Sequence, residues 1–234
     1  MRKHLGWKGL VLCAALAPAS PALAQQQTVN FSIGGFVPRG EDGRVAGDVL
    51  VENRTFLVFD TDEFNSFTAG AEWLFPIGNF VEGGAGVSFT GRTVPTVYDC
   101  CVDNFGDEIE QELRLRRIPI DLTLRVLPLG GSSPIQVYFG GGLSLISWRY
   151  SETGDFIDFN NDGEVFRDSF VGSGTEAGVV VLGGVRFQGR GAAGGFEVKY
   201  HKADASFDAD DDEFAGSRID LGGWTYQGTL GFRF

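Results

Sequence analysis

The run Trp224-Thr-Tyr-Gln-Gly-Thr-Leu-Gly-Phe-Arg-Phe234 places Trp224, Tyr226, Leu230, Phe232 and Phe234 on one side of an extended segment. Thr225, Gln227, Thr229 and Arg233 fall on the other side. Side chains that alternate at period two define a strand with one apolar and one polar face. The apolar side carries an aromatic residue at the final position of the sequence.

The opposite end reads as an export signal. Arg2, Lys3 and Lys8 flank the start of an apolar stretch from Leu10 to Ala19, and Ala22-Leu-Ala24 supplies small residues at the positions a signal peptidase reads. Residues 1–24 are therefore expected to be a signal peptide cut before Gln25, with 25–234 forming the mature domain. Lipid attachment at Cys13 is disfavoured, because Leu12 is bulky and the apolar core would be cut short. An export signal combined with the terminal strand points to a membrane barrel of the bacterial outer envelope.

Charge narrows the partners. The chain has 19 basic and 31 acidic residues; loss of Arg2, Lys3 and Lys8 leaves 16 against 31, a net charge of −15 with histidine neutral. That balance disfavours nucleic acid as a partner and repels anionic lipid unless cations intervene. The mature part has no run of about 18 apolar residues, so a helical membrane span is excluded. Strands of about 9 to 11 residues remain able to cross.

Period-two segments recur eight times. Val29, Phe31 and Ile33 oppose Asn30 and Ser32. Phe67, Ala69, Ala71, Trp73 and Phe75 oppose Thr68, Gly70 and Glu72. Val81, Ala85, Val87 and Phe89 oppose Glu82, Gly84 and Ser88. Ile118, Ile120, Leu122, Leu124 and Val126 oppose Arg117, Asp121, Thr123 and Arg125. Ile135, Val137, Phe139, Leu143 and Leu145 oppose Gln136, Tyr138 and Ser144. From about 174 to 187, Ala177, Val179, Val181, Val185 and Phe187 oppose Glu176 and Arg186; Phe196, Val198 and Tyr200 oppose Glu197, Lys199 and His201; the terminal run is the eighth. Pro119 lacks an amide donor and predicts a bulge or an unpaired position.

Connection lengths also alternate. Segments 76–79, 128–134 and 188–193 are short turns, while about 37–66, 90–112, 149–174 and 201–218 are long and polar. An all-β, eight-stranded antiparallel transmembrane barrel of up-and-down meander order produces that pattern, with short turns inside and long loops outside. Trp73, Phe75, Phe80, Trp148, Tyr150, Tyr200, Trp224 and Phe234 lie near predicted strand ends, where aromatic rings suit the headgroup level; ordinary core packing accounts for them equally well. The 35 glycines, with the triplet Gly140-Gly-Gly142, suit a narrow, strongly curved barrel.

Arg117-Ile-Pro-Ile-Asp-Leu-Thr-Leu-Arg125, Ser32-Ile-Gly-Gly-Phe-Val-Pro38 and Gly223–Phe234 resemble the small eight-stranded outer-membrane barrels related to the transmembrane domain of outer-membrane protein A. The resemblance spans about residues 27–234 as a pattern. It implies location in the bacterial outer membrane, lipid and lipopolysaccharide neighbours, escort by periplasmic chaperones, and a monomer. It also implies that Leu230, Phe232 and Phe234 act as the signal read by the barrel-assembly machinery. No peptidoglycan-binding segment follows the barrel pattern, so a cell-wall tether is not implied.

The expected interior residues are Glu72, Glu82, Arg117, Asp121, Arg125, Glu176, Arg186, Glu197, Lys199, Gln227 and Arg233. Eight strands leave an interior barely wide enough for side chains, so these charges should pair and plug it. The same residues would line a water-filled pore. A non-enzymatic barrel with a structural or surface-interaction role is thus expected first, and a small channel for ions or solutes second.

No catalytic residues are expected. His201 is the one histidine of the mature chain; Asp204, Ser206 and Glu197 are near it in sequence, but lysines flank it and the spacing does not match the His-x-Ser-Asn pattern of lipid A deacylases. No organic cofactor is expected. Asp158, Asn160, Asp162 and Glu164 begin like a calcium loop, although position 12 is Ser169; with the acidic run 208–213 they are candidate sites for calcium or magnesium. Adjacent Cys100 and Cys101 admit a strained ring, two free thiols or intermolecular pairing. Phe156, Phe159, Phe166, Phe170, Phe207 and Phe214 are candidates for an exposed adhesive patch.

Overall fold

The computed structural model describes residues 27–103, 105–158, 163–207 and 214–234. The expected signal segment, the centre of the calcium-like loop and the acidic run 208–213 lie outside them. Strands β1 (Thr28–Pro38), β2 (Ser66–Pro76), β3 (Val81–Val102), β4 (Glu108–Val126), β5 (Ile135–Asp158), β6 (Glu164–Gln188) and β7 (Ala192–Lys202) follow one another. A small antiparallel pair, β8 (Asp204–Ser206) and β9 (Arg218–Asp220), precedes β10 (Gly223–Arg233). Strands β1 to β7 pair in sequence order, and β10 closes the ring between β7 and β1. Each pairing is antiparallel, so the ring is an eight-stranded up-and-down barrel with every ring edge satisfied.

The eight predicted segments supply the eight ring strands, and their apolar faces point outward. On β4, Ile120, Leu122, Leu124 and Val126 are exposed while Asp121, Thr123 and Arg125 between them are buried. The apolar positions from Ile118 to Val126 correspond to about 27 Å of strand, or roughly 20 Å along the barrel axis at a tilt of ~40°. Trp73, Phe80 and Trp224 are exposed on the outside.

Several strands are longer than their alternation predicted. The stretches 90–112 and 149–174, read from sequence as long loops, are mostly strand: β3 and β4 continue to a connection at 103–107, and β5 and β6 to one at 159–163. Above Arg117 the outward residues of these strands are mostly polar or charged, Pro95, Val97 and Val171 excepted, which weakened the apolar alternation used to detect them. The truly irregular long connections at that end are 39–65 and 203–222. They hold the short helix α1 (Val49–Asn53) and the β8–β9 pair. Short turns 77–80, 127–134 and 189–191 occupy the other end, as do both ends of the ring.

Pro119 leaves a gap in the ladder without a bulge. Pairing of β3 with β4 is recorded at Val87↔Ile120 and resumes at Thr90↔Arg117 in the same register. The glycine triplet has a local cause as well. A Cβ at Gly142 would stand 1.8 Å from the Leu122 carbonyl oxygen, and one at Gly140 2.0 Å from that of Leu124, so a side chain at either would force β5 off β4.

Candidate functional site

Register brings part of the lumen together directly. Glu82 stands across from Arg125, Asp121 across from Ser144, Gln136 across from Arg186, and Glu197 across from Gln227. The longer side chains then bridge the barrel. Arg125 Nη2 lies 2.6 Å from Glu72 Oε2 on β2 and 3.0 Å from Glu197 Oε2 on β7. Arg186 Nη2 meets Glu82 Oε2 at 2.8 Å, and its Nε donates to Gln136 Oε1 at 2.9 Å. Lys199 Nζ is 3.3 Å from Asp121 Oδ2, 3.6 Å from Glu197 Oε1 and 3.8 Å from Glu72 Oε1.

Neutral groups complete this cluster. The Tyr138 hydroxyl donates to Glu197 Oε2 at 3.0 Å, Gln227 Nε2 to Glu197 Oε1 at 2.8 Å, and Ser144 Oγ to Asp121 Oδ1 at 2.7 Å. All of these side chains are buried. A void beside Glu72, Asp121 and Lys199 measures about 10 Å³, near the lower limit for a single water. A recess of about 400 Å³ opens at the short-turn end and reaches Glu82 and Gln136.

Other predicted interior residues sit differently. Arg117 is buried and stacks over the Phe36 ring, 4.1 Å from its centroid. Glu176 is half-buried on the inward side of β6, opposite Ile146, and is not part of the cluster. Arg233 is half-buried at the turn end, where Nη1 donates to Gln188 Oε1 at 2.6 Å. His201 turns inward, with Nε2 3.1 Å from Asp121 Oδ1. Asp204 instead pairs with Arg218.

Above this cluster the lumen changes character. Ile109, Leu113, Leu115, Ile146, Trp148 and Tyr150 point inward from β4 and β5 and pack with Val49, Leu50, Phe64, Phe214, Ile219 and Leu221 from the two irregular connections. Of the two readings open for Trp148 and Tyr150, headgroup level or core packing, both residues take the second, buried in this cap at 5 % and 0 % exposure. The expected aromatic surface patch is corrected. Phe156 and Phe214 are buried, Phe170 and Phe207 pack against the same cluster, and Phe207 stacks on Phe214 at 4.4 Å. Of those candidates Phe166 stays exposed, and Phe159 lies outside the described residues.

Polar contacts fasten the cap. Arg44 donates from Nε to Asp48 Oδ1 at 2.7 Å, and Asp48 Oδ2 accepts from the Asp220 amide at 2.6 Å. Arg39 pairs with Asp220 at 2.8 Å. Glu152 Oε1 accepts from Asn53 Nδ2 at 2.6 Å and from the Tyr150 hydroxyl at 2.8 Å, tying α1 to the wall. Burial raises the Glu152 carboxyl above the usual range, against the lowering effect of these two donors. Asp220 is raised by burial too, partly offset by the Gly222 amide and the two arginines. Sequence reading missed these groups; the signal available was Asp48 before Val49-Leu-Val, a helix N-cap whose side chain accepts from the Leu50 amide.

A closed ring with charges inside and a continuous apolar belt outside inverts the polarity of a water-soluble barrel. Such a wall is stable when hydrocarbon surrounds it. The architecture is that of an eight-stranded transmembrane barrel.

No family model and no curated protein matches the chain. Among solved structures, it is similar to Neisserial surface protein A at 11% identity, covering 89% of this chain and 97% of that one, with a TM-score of 0.46. Ail, the attachment invasion locus protein of Yersinia pestis, solved with the heparin analogue sucrose octasulfate, gives 10% identity, 90% and 99% coverage and a TM-score of 0.44. The N-terminal barrel domain of Pseudomonas aeruginosa OprF gives 10%, 90% and 98%, and 0.35. These likenesses concern the fold alone.

Leu230 and Phe232 lie on the outer side of the closing strand, and both are exposed, as is Phe234 just beyond its end. Asp158 and Glu164 face each other where β5 meets β6, with Asn160 and Asp162 outside the described residues. Among the described residues no three metal-ligating side chains converge. Cys100 and Cys101 are bonded to each other at the exposed end of β3, the ring among the three states open from sequence.

Proposed function

We propose that the chain is a non-enzymatic barrel of the bacterial outer membrane with a structural and surface-presenting role: a sealed anchor that holds a rigid cap outside the cell. The observation that supports this reading is the Arg125 cluster, whose buried side chains bridge the lumen from β2 to β7 beneath an apolar core. Residues 1–24 serve as the cleaved export signal, and Leu230, Phe232 and Phe234 as the assembly signal. Any surface recognition falls to the polar outer wall of the cap, because most of its aromatic residues are committed to packing. Lipopolysaccharide, periplasmic chaperones and the barrel-assembly machinery are the expected partners.

Planar-bilayer recording of the refolded mature chain tests the sealed-anchor reading. The expected result is a flat baseline with no single-channel steps. Reproducible steps that shift in size with Arg125→Ala would replace it with the channel reading. N-terminal mass analysis of protein recovered from an outer-membrane fraction should find Gln25 first.

A further inference from the structure

The outer wall carries a basic patch where the belt ends. Arg114 and Arg116 on β4 and Arg149 on β5 are exposed and point outward, immediately beyond Ile118 on β4 and beyond Leu145 and Ser147 on β5. Arg116 and Arg149 stand directly across from each other, and Arg114 stands across from Ser151. The three line a recess of about 150 Å³ with Ser151, Ser169 and Val171.

No acidic residue stands directly across from any of these arginines. The remaining cross-strand neighbours are Thr93 for Arg114, Gly91 for Arg116 and Ser173 for Arg149, all uncharged. None of the three arginines pairs with a carboxylate among the described residues. Like charges directly opposite in an antiparallel pair are destabilising, so this arrangement calls for a bridging anion. Farther out on the same face come Glu112, Glu110 and Glu108. The positive band is thereby confined to one height, between the apolar belt and an acidic zone.

We propose that Arg114, Arg116 and Arg149 form a binding site for the phosphate of a lipid headgroup whose acyl chains lie along Ile118, Ile120, Leu143 and Leu145. Guanidinium groups bind phosphate oxygens through paired, charge-assisted hydrogen bonds. Two strands present three such groups to one recess at the height where a lipid phosphate stands. The proposal rests on the membrane-barrel reading above.

The test is native mass spectrometry of the mature chain in nanodiscs containing bisphosphorylated lipid A, its phosphate-free counterpart, or an equal mixture. The wild-type barrel should retain the phosphorylated lipid on the order of tenfold better, the ratio expected for 1.4 kcal/mol. R114Q/R116Q/R149Q should lose that preference, R149Q should lose part of it, and R190Q, in the turn at the other end, should keep it. Equal retention of both lipids by wild type, or an undiminished preference in the triple variant, overturns the proposal. Displacement of the phosphorylated lipid by millimolar inorganic phosphate would also overturn it, reducing the patch to a free-anion site. Insertion is scored separately by the heat-dependent shift in gel mobility; failure of wild type there sinks the membrane reading itself.

Discussion

Strand β4 runs through two regions of the molecule that solve opposite problems on the same two faces. Below Arg116 its inward residues are Arg117, Pro119, Asp121, Thr123 and Arg125, and its outward ones are Ile118, Ile120, Leu122, Leu124 and Val126. Above that level the inward residues are Leu115, Leu113 and Ile109 with Gln111, and the outward ones are Arg116, Arg114, Glu112, Glu110 and Glu108. Side-chain parity never changes along the strand; the chemistry of each face does. The outer cap therefore obeys the rules of a water-soluble protein, and the belt region obeys those of a membrane wall around a pairing network. The two should differ in what damages them.

The largest effect is expected in the lower region. Arg125→Ala leaves Glu72 and Glu197 buried without their closest cation, and loss of one partner from a buried ionic cluster costs about 3–5 kcal/mol. Urea unfolding of the refolded barrel in lipid vesicles measures it. A loss below about 1 kcal/mol would mean that Lys199 holds the two carboxylates unaided, and the contrast with the cap would weaken.

Leu113→Ala probes the cap. Removing a fully buried leucine costs about 2–5 kcal/mol, and the damage should stay above the belt: new protease cuts in 39–65, with heat-dependent gel mobility of the barrel unchanged. Simultaneous loss of both signals would show that the two regions unfold as one unit. A third comparison locates the boundary between them. Leu122→Lys on the lipid face should cost about 2–4 kcal/mol, whereas Glu112→Lys, on the same face of the same strand but above the belt, should stay within about 0.5 kcal/mol.

Sequence legibility followed the same division. In the belt, lipid outside and charge inside keep the alternation strong, so strand number, order and facing were readable from Phe31, Leu122 or Phe232. In the cap, stretches such as Glu108–Glu112 alternate in the reverse sense and read as polar loop. Facing could be read for Glu72, Arg125, Glu197 and Lys199, but not partnership, because Arg125 reaches β2 and β7 by closure of the ring and not by nearness in sequence. Trp148, Tyr150 and Phe214 illustrate the remaining gap. An aromatic residue near a strand end looks the same whether it faces headgroups or a core; the lid formed by α1 and β9, built from distant segments, decides which.

The smallest predicted effect separates the regions by pH. Glu152 is buried in the cap with its carboxyl raised above the usual range, chiefly by burial. A raised folded-state value means that the folded cap holds this proton more tightly than the unfolded chain does. The contribution to stability is therefore complete below the unfolded carboxylate range and is lost as pH rises through the folded value. Asp220, raised by burial as well, adds a contribution of the same sign. Protease resistance of 39–65 should accordingly be higher near pH 4 than near pH 8, and Glu152→Gln, which keeps an acceptor for Asn53 without the charge, should flatten part of that slope and leave the Asp220 share. An unchanged slope in Glu152→Gln would assign the pH dependence to Asp220 and its arginines, and would place the point of the cap that weakens as pH rises at the β9 latch instead of at α1.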